Sequence, residues 1–142
     1  MSSVAKPETF EELDYEVMNK MQKVTLLEDV RYTLNELQKQ GIEMYILSNS
    51  IFTSKSARQL LRDFGILHYF NQIFSSADYN VRKPSEQFYQ IAINEILSDN
   101  HEVKKEDILY IGNDYITDVM GATSMGLSVV ENAAANPSFV SF

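Results

Sequence analysis

The stretch from Ile108 to Gly126, ILYIGNDYITDVMGATSMG, constrains the fold more than any other part of the chain. Its opening apolar run, Ile108 to Ile111, is of the kind a strand buried on both faces requires, and it breaks at Gly112 into Asn113 and Asp114. A polar turn follows, and Asp118 introduces a helix whose Gly121, Ala122 and Gly126 permit close packing on a sheet. Asp114 and Asp118 thus fall at the carboxyl end of a buried strand, where open α/β sheets place their ligands. Paired carboxylates there suit a hard cation such as Mg²⁺, which prefers oxygen and keeps several waters. The same residues also make an ordinary polar strand-to-helix turn with Asp118 as the helix N-cap.

The rest of the chain supplies the layers such a strand needs. Phe10, Leu13, Val17, Met18 and Met21 recur at helical spacing behind Thr9, a fitting N-cap, and a second helix runs from about Glu28 to Gln40 with Gly41 closing it. Ile42 to Leu47 is a strand that ends in Ser48, Asn49 and Ser50, small donors that suit either an anion's oxygens or a turn. A helix from Thr53 to Phe64 follows, closed by Gly65, and then a short strand, Gln72 to Ser75, with Tyr69, Phe70, Ile73 and Phe74 as core aromatics and aliphatics. Lys83 precedes Pro84 and a helix that turns Phe88, Ile91, Ala92 and Ile96 inward, so it is held in extended backbone just before a helix start. Leu127 to Val130 is the last strand, and His68 and His101 read as structural. Strands alternating with helices imply a parallel sheet covered on both faces, an α/β three-layer architecture.

Bulk properties narrow the function. A length of 142 residues suits one domain, and 44% hydrophobic with 23% charged residues marks a globular chain. A formal charge of −8 argues against nucleic acid as a partner and requires a local lysine or metal wherever an anionic substrate sits. The absence of cysteine excludes disulfides, thiolate metal sites and a cysteine nucleophile. With no apolar leader and no run of transmembrane length, the expectation is a cytoplasmic protein that meets no membrane.

Three spaced signals, a strand ending in Ser48-Asn49, Lys83-Pro84 before a helix, and a strand ending in Gly112-Asn113-Asp114 with Asp118 beyond it, together resemble the haloacid dehalogenase (HAD) superfamily, particularly its phosphatase-like and dehalogenase-like members. The likeness covers roughly residues 26–131, flanked by an N-terminal helical segment at 1–25, a candidate cap remnant, and a tail at 132–142. It implies a Rossmann-like αβα sheet. It also implies that Ser48 and Asn49 hold the transferring group and that Lys83 offsets the charge of nucleophile and phosphate. Asp114 and Asp118 would place Mg²⁺, with Asn113 standing where the family's first acidic residue falls. The implied substrate is a small phosphorylated or anionic molecule, a phosphate monoester before a haloacid, because an acidic pair suits a metal.

The departure from the family pattern is at the first motif, DxDx[TV], whose first Asp attacks the substrate from the end of an early apolar strand. No such strand precedes Ile42, and the nearest string, Asp14-Tyr15-Glu16, lies in a helical pattern without a following Thr. The chain therefore reads as a HAD-type hydrolase core lacking its nucleophile, the alternative being an inactive fragment or a non-catalytic anion-binding scaffold. In the family that missing strand lies between the strands at 42–47 and 108–111. These two strands must then pair directly, be bridged by another segment, or leave open edges through which the chain self-associates.

Overall fold

The computed structural model describes residues 12–16 and 28–132. The expected tail, and most of the expected first helix, lie outside the described residues. By its internal contacts the chain forms two compact units, one of Met1–Ile46 with Ile51–Ser75 and the other of Leu47–Ser50 with Ser76–Phe142.

In the first unit, residues 12–16 form the short helix α1 and Glu28–Lys39 form α2, whose Lys39 in the last turn suits the helix dipole. Gly41, at φ 77°, ends α2 as expected, a left-handed position that glycine takes without strain. Strand β1, Met44–Ser48, pairs with β2, Phe70–Ser75, and helix α3, Ser54–Asp63, lies between them in sequence. Leu61, Ile66, Tyr69 and Ile73 form the core, with Leu34, Met44 and Ile46 packed against it.

The cap of α3 ties α1 into this unit. Thr53 is its N-cap, and the buried Asp14 carboxylate accepts from Thr53 N–H at 2.7 Å, Thr53 Oγ1 at 2.9 Å and Ser56 Oγ at 2.6 Å. A carboxylate at a helix N-terminus also faces the positive end of the dipole. Asp14 is thus committed to capping, from a helix. Asp14→Ala strands those donors, and the expected loss is about 1–3 kcal/mol in urea unfolding.

The second unit contains a short helix α4, Ser76–Tyr79, the long helix α5, Glu86–Asp99, strand β3, Leu109–Gly112, helix α6, Gly121–Ser124, and strand β4, Ser128–Glu131. Strands β3 and β4 are parallel, with Leu109 opposite Ser128 and Ile111 opposite Val130. Tyr110 and Val129 point to the inner face, where Tyr89, Ile93, Ala122, Met125 and Leu127 make the core. The helix α5 buries Phe88 and Ala92 as expected, but its other buried residues are Tyr89 and Ile93, whereas Ile91 and Ile96 are half-buried. The inward stripe is thus rotated toward the sheet.

The expectation that residues 108–111 are buried on both faces does not hold. Leu109 and Ile111 remain 55% and 61% exposed, because α5 and α6 pack on the inner face and the outer face has no cover among the described residues. Direct pairing of β1 with β3, one of the expected arrangements, is not seen among the described residues. Among the described residues β1 ladders only with β2 and β3 only with β4. No helix among these residues is long and apolar enough to cross a membrane.

Candidate functional site

All of the expected site residues fall in the second unit: Ser48 and Asn49 at the carboxyl end of β1, Asn113, Asp114 and Asp118 beyond that of β3, and Lys83 in the turn ahead of α5. Ser48 is the buried last residue of β1. Asn49 follows, and its amide makes two bonds to the backbone of Lys83: Nδ2 donates to Lys83 O at 3.0 Å and Oδ1 accepts from Lys83 N–H at 2.7 Å. Ser50 and Ser76 form a second reciprocal pair, Ser50 N–H donating to Ser76 Oγ at 2.9 Å and Ser76 Oγ donating to Ser50 O at 3.0 Å. These contacts hold the lysine-bearing segment beside the end of β1. The Lys83–Pro84 peptide is cis.

Lys83 is 4% exposed, a burial that a cation tolerates only when paired. Its Nζ donates to Asp118 Oδ1 at 2.7 Å and to the Tyr110 hydroxyl at 2.9 Å. Tyr110 in turn donates to the same Asp118 oxygen at 3.0 Å. The other oxygen, Oδ2, accepts from the backbone N–H groups of Asn113 and Asp114, each at 3.1 Å. Both oxygens of Asp118 therefore carry two hydrogen bonds apiece, which fills a carboxylate's acceptor positions. In this arrangement Asp118 anchors Lys83 and the turn after β3.

That turn corrects the sequence reading of the helix start. Asp114, not Asp118, is the N-cap, its Oδ1 accepting from Thr117 N–H at 2.8 Å. The turn that follows, Tyr115–Met120, is π-helical, and Asp118 lies inside it, with Val119 N–H reaching Asp114 O at 3.1 Å. Such wide turns recur at functional sites. Two contacts hold it in place. The Tyr89 hydroxyl donates to Thr117 O, and Gly112 lets the turn approach so closely that an added Cβ would lie 2.4 Å from Asp118 Cβ.

The electrostatics follow from burial and partners. Burial alone would raise the Asp118 carboxyl, but the hydrogen bond and charge of Lys83, with the Asp114 N–H and the Tyr110 hydroxyl, outweigh it and hold the group below the usual carboxylate range. The exposed Asp114 is held low chiefly by the Thr117 N–H. Burial pushes Tyr89 up to about 12 and Tyr110 further still, so both phenols are neutral donors. Because Asp118 binds its proton less readily folded than unfolded, it stabilises the fold above the unfolded carboxylate range. That contribution disappears as pH falls below about 4 through the folded value. Acid unfolding should show the wild type losing its advantage over Asp118→Asn in that window; a difference that grows toward acid contradicts the assignment.

The donor chemistry suits a hard cation only in part. Asn113 and Asp114 present exposed oxygens, Asp118 has none to spare, and among the described residues no group of three or more acidic or histidine side chains gathers for a metal. Mg²⁺ accepts such a sparse protein set because it retains water. Tyr110 and Tyr89 are the members the sequence reading missed. The signal for Tyr110 was a polar-tipped residue within the apolar run ILYIG.

The chain is similar to several phosphatases and hydrolases. The glyceraldehyde 3-phosphate phosphatase of Methanothermobacter thermautotrophicus is 30% identical over 98 residues, 69% of this chain and 40% of that protein. Among solved structures, a HAD phosphatase from Thermococcus onnurineus superposes with a TM-score of 0.66 at 25% identity, over 87% of this chain and 55% of that one. The HAD-hydrolase YfnB of Bacillus subtilis, bound to magnesium, gives a TM-score of 0.61 at 27% identity, over 74% of this chain and 44% of that one. The chain spans about 40% of the length of the glyceraldehyde 3-phosphate phosphatase it matches. Residues 2–131 match the haloacid dehalogenase-like hydrolases, and the chain belongs to that family.

Proposed function

We propose that this chain is the anion-holding part of a phosphate monoester hydrolase whose carboxylate nucleophile is not among its described residues. The observation that carries this reading is the buried Lys83, positioned by Asn49 through its backbone and by Asp118 through its ammonium. A fixed positive charge in a site of low dielectric stabilises the charge that develops on a transferring phosphoryl group. In a complete protein an Asp oxygen bonds to phosphorus as the ester P–O bond breaks, and water then cleaves the acyl phosphate. Ser48 would donate to the phosphoryl oxygens. Asn113 and Asp114 would contribute oxygens to Mg²⁺, which when bound would offset phosphate charge. A small phosphorylated molecule in the cytoplasm completes the reading.

A second reading, a non-catalytic anion-binding scaffold, is favoured by one specific observation: Asp14, in the nearest candidate for a nucleophile motif, is spent on capping α3. Hydrolysis of p-nitrophenyl phosphate by this chain, with and without Mg²⁺, tests both. The expected result is no turnover in the wild type or in Asp118→Asn; magnesium-dependent turnover lost in the variant would reveal a nucleophile within the chain and overturn the proposal. Self-association is a further part of it, through the outer face of β3 and β4, where Leu109, Ile111 and Val130 are exposed although a parallel ladder ordinarily has both faces covered. Sedimentation should show a dimer that Ile111→Lys dissociates; a monomeric wild type contradicts it.

A further inference from the structure

We propose that Tyr110 is a positioning residue of this site: its phenol and Asp118 together engage two of the three Lys83 N–H bonds, leaving the third for an anionic ligand. The inference rests on the anion-site reading above and adds a member that reading does not require. Lys83 Nζ, Tyr110 Oη and Asp118 Oδ1 form a closed triangle with sides of 2.7, 2.9 and 3.0 Å. A hydroxyl closes it with a single atom, accepting from the ammonium and donating to the carboxylate at once.

The phenol is itself held. Tyr110 occupies the inward position of β3 between the exposed Leu109 and Ile111, and the Tyr89 ring meets it edge-on, with centroids 5.4 Å apart at 65°. Lys83 Nζ also lies 5.6 Å from the Tyr110 ring centroid, so the ring limits the ammonium on a second side. An ammonium is a freely turning group with three equivalent donors, and a single carboxylate partner would leave it turning. Two partners of fixed position restrict it, and a ligand then meets an oriented donor. Phe at this position keeps the ring and its packing while removing the hydroxyl.

The test uses the whole chain, lysine-labelled with ¹⁵N, and reads the Lys83 ammonium directly. In Tyr110→Phe the Lys83 ammonium protons should exchange with water at least tenfold faster, and inorganic phosphate should bind about tenfold more weakly, the scale of one hydrogen bond to a charged group. Tyr32→Phe, on the exposed side of α2, should change neither. Unchanged Lys83 exchange in a folded Tyr110→Phe overturns the proposal, as does phosphate binding as tight in that variant as in the wild type. If the wild type shows no saturable phosphate binding, the anion-site reading fails, and the exchange rate still decides the role of Tyr110: accelerated exchange supports it and unchanged exchange removes it. Should Tyr110→Phe not fold, the wild type suffices. A nuclear Overhauser contact between the Lys83 ammonium and the Tyr110 hydroxyl proton is expected, and its absence overturns the triangle.

Discussion

Lys83→Met should abolish saturable binding of inorganic phosphate and lower the free energy of unfolding by about 3–5 kcal/mol. Methionine matches the length of the lysine stem, so the packing changes little and the charge is what is removed. Asp118, 4% exposed, is left as a buried carboxylate facing Tyr110 and two backbone N–H groups without its cation. That penalty is large against a total stability of about 5–15 kcal/mol for an ordinary domain. Urea unfolding measures it. Adding Asp118→Asn to Lys83→Met should recover part of the loss, because the second change removes the orphaned charge. A double variant less stable than the sum of the single changes would show that the pair is not the stabilising element described above.

Gly112→Ala is the second change with a large expected effect. The new Cβ would stand 2.4 Å from Asp118 Cβ, 2.5 Å from its Cγ and 2.6 Å from Oδ2. These atoms belong to a turn that Tyr89 and the Asp114 cap hold in place, so Asp118 must leave the Asn113 and Asp114 N–H groups and carry Lys83 with it. The expected cost is about 1–3 kcal/mol from overpacking, with phosphate binding weakened by roughly tenfold or more through the displaced pair. Gly41→Ala is the contrast. At φ 77° with nothing within 4 Å of the added Cβ, it should lose about 1 kcal/mol from backbone strain alone and leave phosphate binding unchanged. Equal losses of binding in the two variants would detach Gly112 from the site.

The sequence made some of this legible for physical reasons. Helix α2 with its closing Gly41 and helix α3 with its closing Gly65 each carry a local signature, a period and a terminal glycine, that does not depend on distant contacts. The site was legible as a set of residue types at strand ends, and Ser48, Asn49, Lys83, Asp114 and Asp118 do fall together in one unit. What each side chain does was not legible. Asn49 grips the Lys83 backbone and Asp118 its ammonium, pairings between segments 34 and 35 residues apart, while Tyr110 and two amides, close in sequence, meet Asp118 through the turn after β3. Tyr110 was hidden by its surroundings: in an apolar run an aromatic ring reads as core, and only the triangle with Lys83 and Asp118 shows what its hydroxyl does. The exposed face of β3 was missed for the opposite reason, since an apolar run carries no mark of which of its faces lacks a cover.

Calorimetric titration of the chain with inorganic phosphate, compared with Lys83→Met, tests the central claim most directly. The account predicts one saturable site in the wild type and none in the variant at the same concentrations. Absence of binding in the wild type, or equal binding in both, would contradict a phosphate-holding site built on Lys83.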